Sequence, residues 1–493
     1  MRRRRSMLGR ILGALGGGRA APERREYEAA RRGRGTEGWI AAGTSADAEI
    51  AAAGPALRER MRDLVRNDAL AANAVQVLVS NIVGAGIRAR AAGPDAEENR
   101  RADEVWRRWA ARADADGHTD FHGLTALAVR EMIEGGEVIA RRIRRRTSDG
   151  LPVPLQVQIL EADHLDDGKN EELPDGGRIV SGIEYDAQGR RRAYWLYRDH
   201  PGDRTAWVGR SMESQRVPAE DVAHLFERQR VQNRGVPWGV PAITGLRELG
   251  DWRTAELTRK KIEASTVAFV FADEEGESIA PVVIDSDGNR VEQFEPGLIS
   301  YVRHGKDVKF NNPASTSGIY EWNRVQQHTI AAGFRVPYAL LTGDLSQVNF
   351  SSSRVGLNEF RRMVEAVQWH TVIPMFCERI WGWVMDAAFT AGLVPRPDIP
   401  AEWGPPRFES VNPLQDVQAD ILEVRAGFAT PQQMIAKRGY DPDAVLGEWA
   451  QAAEMMDAAG LVFDSDPRRT TKGGSEQPSE TAAASGPSES GDQ

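Results

Sequence analysis

The sequence has almost no cysteine and no long apolar run. Cys377 is the single cysteine in 493 residues, so neither a disulfide framework nor a CxxC zinc site can form, which fits a reducing compartment. No run of about 18 consecutive apolar residues occurs, as a membrane-spanning helix needs. The first residues are basic, but the apolar part after them is interrupted by Arg10 and ends in glycines, a poor secretory signal. We therefore expect a soluble protein with no membrane partner.

Motifs that mark common catalytic sites are also missing. The sequence contains no G-x-x-x-x-G-K-[ST] nucleotide loop, no G-x-S-x-G nucleophile elbow, no H-E-x-x-H zinc helix and no glycine fingerprint that opens a helix after a strand. These absences argue against a nucleotide motor, a hydrolase and a dehydrogenase. We expect no enzymatic activity, no metal and no cofactor.

Charge is divided unevenly between the start of the chain and its remainder. Lys and Arg number 63 against 72 Asp and Glu, a net charge of −9, yet residues 1–40 carry eleven Arg against four Glu, which leaves −16 for the remainder. A basic arm can contact nucleic acid or an acidic surface, whereas so acidic a body is not that of a DNA-coating protein. A solvated, disordered arm is the equally simple interpretation. At about 150 residues per domain the length predicts roughly three units.

Hydrophobic periodicity predicts an α+β fold. Apolar residues at helical spacing form a first, helical layer. These helical segments are 55–83, with a break and a cap at Asn67-Asp68, 96–112 and 121–134. After Gly136 short apolar runs alternate with polar residues, which is typical of strands near 138–143, 155–159, 183–185 and 194–196. We expect an antiparallel or mixed sheet packed on the helices.

The second half of the sequence places a strand-rich insertion between two helices. Residues 241–266 favour one long helix with a basic C-terminal end, residues 267–310 have strand composition, and a helical pattern resumes over 317–333. Residues 340–353 are loop-like, and Pro374 should kink the helix that follows them. Short helices are predicted near the C-terminus at 413–426, 430–438 and 442–459.

Two clusters contain side chains that bind metals. His118, Asp120 and His122 would share one face of a strand, but Asp120 before Phe121 is typical of a helix cap, which we favour. An acidic cluster after the strand near 155–160 could hold Mg²⁺ as in a nuclease, although a solvated turn is the preferred interpretation. Its members are Glu161, Asp163, His164, Asp166 and Asp167.

Three arginines lie on the helix that follows the loop-like segment. Arg354, Arg361 and Arg362 could contact phosphate groups. On an amphipathic helix such charges more often form the solvated face, and we favour that interpretation.

Several passages, taken in order, resemble the bacteriophage portal proteins of the lambda type. The resemblance covers roughly residues 55–460. The passages are VRNDALAANAVQVLVSNIVGAGI (65–87), LEADHLD (160–166), YWLYRDHPGD (194–203), VPAEDVAHLF (217–226), RGVPWGVPA (234–242), FRVPYALLTGDLSQVNFSSSR (334–354) and NPLQDVQADILEVRAGFATPQQMIAKRGYDPDAV (412–445).

The resemblance implies a ring, typically a dodecamer, at one vertex of a phage head, through which double-stranded DNA enters and later leaves. Terminase pumps the DNA, which accounts for the missing nucleotide loop. An acidic body also fits, because a channel that attracted phosphate strongly would bind DNA instead of passing it. The implied partners are further copies of this chain, the terminase large subunit, the major capsid protein, the scaffold and the head-completion or tail-connector proteins. Assembly would take place in the bacterial host cytoplasm.

The resemblance, together with the order of a helix, a strand-rich insertion and a second helix, assigns each segment to a part of a portal protein. The assignments are a basic disordered arm (1–45), wing (46–235), first stem helix (236–266), clip (267–314), second stem helix (315–336), tunnel loop (337–353), kinked wing helix (354–400), helical crown (401–462) and disordered tail (463–493).

Two sets of site residues follow from these assignments. A long helix with an apolar stripe is not stable alone, so the first stem helix is expected to pack against neighbouring subunits. Its packing residues would be Leu246, Leu249, Trp252 and Leu257. The tunnel loop is expected to touch the DNA backbone without reading bases. Its contact residues would be Gln347, Asn349, Ser351 and Arg354.

Two other classes of function remain open from the sequence. One is a metal-dependent DNA-processing enzyme, a nuclease component of a phage packaging system that uses the acidic cluster at 161–167. The other is a capsid or adaptor protein without a DNA channel. Mg²⁺-dependent cleavage of DNA distinguishes the first from a portal protein, and ring stoichiometry distinguishes the second.

Overall fold

A computed structural model describes most of the chain between residues 37 and 463. The described residues are 37–38, 41, 43–203, 213–264, 268–272, 299–303, 308–310, 318–346, 350–406, 408, 413–438, 440, 442–461 and 463. Most of the predicted basic arm, nearly all of the predicted tail and most of the strand-rich insertion therefore lie outside the described residues.

The architecture is α+β, so the predicted fold class is confirmed. The helices are α1 (Ala46–Asn67), α2 (Ala69–Ile82), α3 (Ala96–Ala110), α4 (Phe121–Glu134), α5 (Ile243–Ala264), α6 (Ile319–Phe334), α7 (Tyr338–Thr342), α8 (Phe350–Val367), a π-helix (Gln368–Cys377), α9 (Glu378–Thr390), α10 (Pro413–Arg425), α11 (Pro431–Lys437) and α12 (Pro442–Ala459). The strands are β1 (Arg88–Ala91), β2 (Glu137–Arg144), β3 (Leu155–Glu161), β4 (Glu171–Glu172), β5 (Arg178–Val180), β6 (Ile183–Tyr185), β7 (Arg191–Tyr197), β8 (Ser214–Pro218), β9 (Val222–Phe226), β10 (Ala268–Ala272), β11 (Ile299–Arg303), β12 (Val308–Phe310) and β13 (Ala401–Gly404).

Asp68 separates the first two helices, as predicted. Its backbone N–H donates to the Leu64 carbonyl at 2.7 Å and ends α1. Its carboxylate accepts hydrogen bonds from the backbone N–H groups of Leu70 (2.8 Å) and Ala71 (3.0 Å) and so begins α2. One side chain thus satisfies donors that the start of a helix leaves unpaired.

The strands of the first half form two antiparallel sheets where the sequence predicted one. β2 lies between β3 and β9, and α4 packs against β2. The second sheet has the order β4, β5, β6, β7, β8. A separate pair joins β1 to β13, which brings the segment after α9 back to the helical layer. In the strand-rich insertion, β10 pairs with β11 and β12.

Trp106 is the centre of an aromatic cluster in the core. Its ring centroid lies 4.9 Å from those of Trp109, Phe121 and Trp381, and 6.1 Å from that of Trp403. These residues belong to α3, α4, α9 and β13. The cluster therefore packs the C-terminal elements α9 and β13 against the N-terminal helices α3 and α4. Large aromatic side chains dominate the burial energy of such contacts.

The long helix that follows residue 350 changes geometry at Pro374, as predicted. Proline has no N–H to donate within a helix, and its ring crowds the preceding turn, so a wider π-helical segment at Gln368–Cys377 separates α8 from α9. The buried amide of Gln368 donates to the Ile82 carbonyl at 2.7 Å. The π-helix is therefore fixed to the end of α2.

Glu137 is a buried carboxylate at the start of β2. It accepts hydrogen bonds from Arg234 (Nη2 at 2.6 Å and Nε at 2.8 Å) and from the backbone N–H of Gly235 (2.9 Å), and His224 Nε2 lies 2.9 Å away. Arg58 of α1 is 3.7 Å distant. Burial by itself raises the pKa of Glu137, but Arg234 and His224 lower it well below its ordinary value. The ionised carboxylate therefore joins α1, β2, β9 and the segment that leads into α5.

A close approach of two backbone segments brings Arg234 to Glu137. A Cβ atom on Gly235 would lie 2.0 Å from the carbonyl oxygen of Gly136, and Gly136 itself has a φ of +93°. Glycine is the residue that permits both the contact and the backbone conformation. Burial lowers the pKa of His224 to about 4, so at neutral pH its ring is uncharged and donates through Nε2.

We predict that Glu137→Gln destabilises the folded chain by roughly 3–5 kcal/mol, because it removes the buried partner of Arg234 and leaves that guanidinium with only the partly exposed Asp167 as counter-ion. Urea unfolding followed by circular dichroism measures the effect. Glu97→Gln is the control, since Glu97 lies on the exposed surface of α3 and its replacement should leave the unfolding midpoint nearly unchanged. Equal unfolding midpoints for the two variants would contradict the role given to Glu137.

Candidate functional site

Helices α5 and α6 form an antiparallel pair, the α5–α6 hairpin, on either side of the strand-rich insertion. Near its base a Cβ atom on Gly333 would lie 2.9 Å from the Cβ of Ala242, so the two backbones nearly touch there. Further along, the rings of Trp252 and Trp322 lie 4.4 Å apart at 45°. The predicted order of helix, strands and helix is confirmed: α5 is described over Ile243–Ala264 where 241–266 was expected, and α6 over Ile319–Phe334 where 317–333 was expected.

The structure corrects part of the expected packing of α5. Leu246 and Leu249 are 1% and 2% exposed and belong to the chain's own hydrophobic core, so they need no neighbouring subunit to be buried. Trp252 is partly buried against that core and against Trp322. Leu257 is 56% exposed, so of the four it is the one left available to another molecule.

The α5–α6 hairpin leaves further large apolar side chains uncovered. Val325 is 59% exposed, and Tyr320 and Trp322 are also exposed. Scattered apolar residues on a surface are ordinary, but several on one pair of helices are typical of a contact surface. Leu257 and Val325, the exposed aliphatic residues of the hairpin, are called its outer face below.

Arg335 fastens the end of α6 to the β-sheet region. It adopts a left-handed φ of +60°, which ends the helix. Its guanidinium donates two hydrogen bonds to the Glu227 carboxylate, at 2.7 Å and 3.0 Å, and lies 4.9 Å from the ring of Trp238. A bidentate pair of this kind fixes orientation as well as distance. The hairpin is thereby held at a defined angle to the rest of the protein.

Tyr338 fixes the segment that leads toward residues 347–349. Its ring stacks on His328 at 4.1 Å, and its hydroxyl donates to the Asp344 carboxylate at 3.1 Å. The side-chain amide of Asn73 donates to the carbonyls of Leu340 and Leu341, both at 2.8 Å. The short helix α7 is thus pinned to α2, so the start of the following loop has a defined position.

The proposed DNA-contacting residues lie largely outside the described part of the chain. Gln347 and Asn349 are not described, and for Ser351 and Arg354 only the backbone is, within the first turns of α8. Helix α8 begins at Phe350, so the expected loop of 337–353 is shorter than predicted because α7 and the start of α8 take up its two ends. The assignment of these four residues to the channel stays a prediction.

Of the remaining arginines of α8, Arg362 follows the solvated-face interpretation, whereas Arg361 is half-buried. Arg362 is exposed and pairs with Glu359 at 3.2 Å on the same helix. Arg361 lies 5.2 Å from the ring of Phe408.

The acidic cluster at 161–167 is an ion-pair network, not the solvated turn that we favoured. Arg62 lies 2.7 Å from Glu161 and 2.8 Å from Asp163, and Arg58 lies 3.3 Å from Asp163. Arg234 lies 2.5 Å from Asp167. Burial by itself raises the pKa of Asp163, but Arg58 and Arg62 lower it below its ordinary value. Glu161, Asp163 and Asp167 therefore have protein counter-ions.

The sequence pattern did not predict one group of side chains that could bind a metal ion. Oxygen atoms of Glu161 and Asp163 and a ring nitrogen of His200 lie within 4.8 Å of one another. His200 comes from the end of a distant passage, so spacing along the chain gave no sign of it. The guanidinium of Arg62 already lies against both carboxylates and would repel a divalent cation. The donor set therefore does not fit a Mg²⁺ site.

The His118, Asp120 and His122 cluster is a helix entry, as favoured. The Asp120 carboxylate accepts from the Gly123 N–H at 2.8 Å and caps α4. The ring of His122 packs so closely on Gly86 that a Cβ atom there would lie 2.4 Å from Nδ1.

Residues 32–368 match the family described as "Phage portal protein, lambda family". The chain belongs to this family. A probable portal protein of Halomonas phage phiHAP-1 is 26% identical over 462 residues, covering 89% of this chain and 88% of the relative. Portal protein B of Escherichia phage lambda is 21% identical over 489 residues, covering 86% and 89%. The predicted family resemblance is confirmed.

Solved structures with similarity to the chain come from gene transfer agent (GTA) particles. The virion of a native GTA particle matches with 15% identity and a TM-score of 0.43, covering 78% of this chain and 94% of that one. The neck of a native GTA particle, determined with C12 symmetry, matches with 15% identity and a TM-score of 0.41 over the same shares. At these values the family assignment rests on the sequence match.

Membership of the portal family gives the chain its general role. Portal proteins form the ring-shaped channel through which a phage head is filled with DNA, and they are structural components of the particle. Among the described residues, no helix is long and apolar enough to cross a membrane.

The anchoring residues Arg335, Tyr338 and Asp344 were missed as individual functional residues. All three lie within the passage FRVPYALLTGDLSQVNFSSSR, which carried the family resemblance, so the passage itself was the available sign. Glu227, which pairs with Arg335, and Asn73, which donates to the carbonyls of Leu340 and Leu341, are distant in sequence, and only the fold brings them to this passage.

The pKa of Glu131, beside the ion-pair network, is raised to about 7 by burial and by the nearby Glu161 carboxylate, although Arg62 opposes the shift. A raised folded-state pKa gives stability that is fully present below about pH 4.5 and is lost as pH rises through 7. We predict that Glu131→Gln removes this loss. Its stability relative to the unmodified chain should increase by roughly 2 kcal/mol between pH 5 and pH 8.

Thermal or urea unfolding at pH 5 and pH 8 tests this prediction. Glu97→Gln serves again as control, because the exposed Glu97 pairs with Arg100 and its pKa is lowered. A stability difference for Glu131→Gln that does not change with pH would contradict the raised pKa.

Proposed function

We propose that this chain assembles as a ring, a dodecamer of identical copies, through the outer face of the α5–α6 hairpin. The observation that carries the proposal is the division of apolar residues on this hairpin. Leu246 and Leu249 are buried within one chain, whereas Leu257 and Val325 are more than half exposed. Burying one such aliphatic side chain contributes about 1.5–3 kcal/mol, and a closed ring repeats the contact at every subunit.

In this proposal the α5–α6 hairpin is the portal stem and the strands β10 to β12 belong to the clip. The ties at Arg335 and at Tyr338 support the stem assignment, because a subunit contact repeated around a ring needs a rigid hairpin. The clip would dock the terminase large subunit during packaging and the head-completion or tail-connector proteins afterwards. The major capsid protein and the scaffold would contact the outside of the ring during assembly in the host cytoplasm.

The loop between α7 and α8 would face double-stranded DNA. Gln347, Asn349, Ser351 and Arg354 would touch phosphates without reading bases, which allows any sequence to pass. The net negative charge of the body keeps such contacts weak. Hydrolysis of ATP would take place on the terminase, so this chain would have no catalytic activity.

The alternative of a metal-dependent nuclease has no support from the acidic cluster. Glu161, Asp163 and Asp167 are paired with Arg58, Arg62 and Arg234, which take the place that a metal ion would need. Incubation of the purified chain with plasmid DNA and Mg²⁺ is expected to leave the DNA intact, and cleavage abolished by Glu161→Gln would restore the alternative.

We predict that the double substitution Leu257→Asp and Val325→Asp yields folded chains that no longer form rings. Carboxylates on the outer face would have to be buried without partners at each subunit contact. Native mass spectrometry and negative-stain electron microscopy measure the assembly, and circular dichroism verifies the fold.

Two other variants make the test specific. Leu127→Asp places the same charge at an exposed leucine of α4, away from the hairpin, and should leave rings unchanged. Leu249→Asp should reduce the folded fraction itself, because Leu249 lies in the chain's own core. Rings of full size formed by the Leu257→Asp and Val325→Asp variant would overturn the proposed packing surface.

A further inference from the structure

An apolar groove lies between the C-terminal helices α10, α11 and α12, and no described residue fills it. Its volume is about 520 Å³. The apolar residues that line it are Val417, Ile421, Val424, Met434, Ile435 and Val445. This set is called the C-terminal groove below.

These helices have little core of their own. No residue of α10 is buried, and Ile421 of the groove is exposed. Leu422 and Trp449, elsewhere on the same helices, are exposed as well. Helices whose apolar side is open to water gain most of their stability from a partner that covers it. The groove therefore has the character of a docking site for an apolar segment.

The C-terminal helices also carry a negative charge. Residues 413–461 contain eight carboxylates and three basic residues, a net charge of −5. A partner with both apolar and basic side chains would complement this surface.

The N-terminal arm of the same chain has that composition. Residues 1–20 contain six Arg and no acidic residue. Within them Leu8, Ile11, Leu12 and Leu15 follow the spacing of one face of a helix. An apolar face of this kind inserted into a groove between helices is a common mode of peptide recognition.

The C-terminal tail lacks this combination of apolar and basic side chains. Residues 464–493 contain no Leu, Ile, Val, Met, Phe, Tyr or Trp and could not fill an apolar groove. The arm is also long, because from Leu15 to residue 43 an extended chain spans up to about 90 Å.

We propose that residues 8–15 of the N-terminal arm dock in the C-terminal groove, with the flanking arginines against the acidic surface of the C-terminal helices. The arm then acts as an internal clamp on those helices. This inference goes beyond ring formation, since it concerns a surface separate from the α5–α6 hairpin.

Disulfide trapping in assembled full-length rings tests the proposal. The substitutions Leu12→Cys and Met434→Cys are combined, and the products of mild oxidation are mapped by mass spectrometry; the native Cys377 is buried and does not compete. The control combines Leu12→Cys with Phe428→Cys, because Phe428 is exposed on the same helical unit but does not line the groove. A second control adds Ile11→Asp and Leu15→Asp to the first pair.

The proposal predicts that the disulfide joining positions 12 and 434 forms at least about tenfold faster than the one joining 12 and 428, a preference equivalent to about 1.4 kcal/mol. The added Ile11→Asp and Leu15→Asp should abolish the preference. A disulfide between positions 12 and 434, within one chain or between chains, supports the proposal and tells which copy supplies the arm.

Two outcomes would overturn the proposal. One is a disulfide joining position 434 of two copies, which would show that a second copy covers the groove. The other is equal rates of disulfide formation from position 12 to positions 434 and 428. Rings that form normally while the preference is absent would separate this failure from a failure of ring assembly.

Discussion

The ionised carboxylate of Glu137 is the constraint on which the arrangement of the first half of the chain depends. Burying a charge costs so much free energy that the structure must bring donors to it from several directions. Arg234, His224 and the Gly235 N–H are those donors, with Arg58 close by. Because they belong to a helix, a strand and the segment before α5, satisfying one carboxylate fixes how these parts meet.

The same network supplies counter-ions to the acidic passage near residue 163. Arg58 lies close to both Glu137 and Asp163, and Arg234 pairs with both Glu137 and Asp167. Positive and negative side chains therefore alternate in one ion-pair network. Carboxylates used in this way hold two sheets and a helix together and are not free to bind a metal ion. A structural role of this passage agrees with the family to which the chain belongs.

A single copy of the chain is well packed in some parts and incomplete in others. The aromatic cluster around Trp106 and the base of the α5–α6 hairpin are buried, whereas the outer face of that hairpin and the C-terminal groove expose apolar side chains. Such a distribution is expected of a subunit whose remaining surfaces are buried on assembly. Rigid ties at Arg335 and Tyr338 hold the exposed hairpin in position for it.

The sequence by itself determined the elements whose causes are local. The cap at Asp68, the cap at Asp120, the interruption at Pro374, the helix–strand–helix order and the portal resemblance all depend on residues that are neighbours along the chain. Tertiary structure decided the rest, because it brings together residues far apart in sequence. It buried Leu246 and Leu249 in the chain's own core while leaving Leu257 exposed, divided the expected single sheet into two, and neutralised the acidic cluster with Arg58, Arg62 and Arg234. An apolar stripe predicts that one face of a helix is buried. Whether the same chain or another copy buries it depends on the three-dimensional packing.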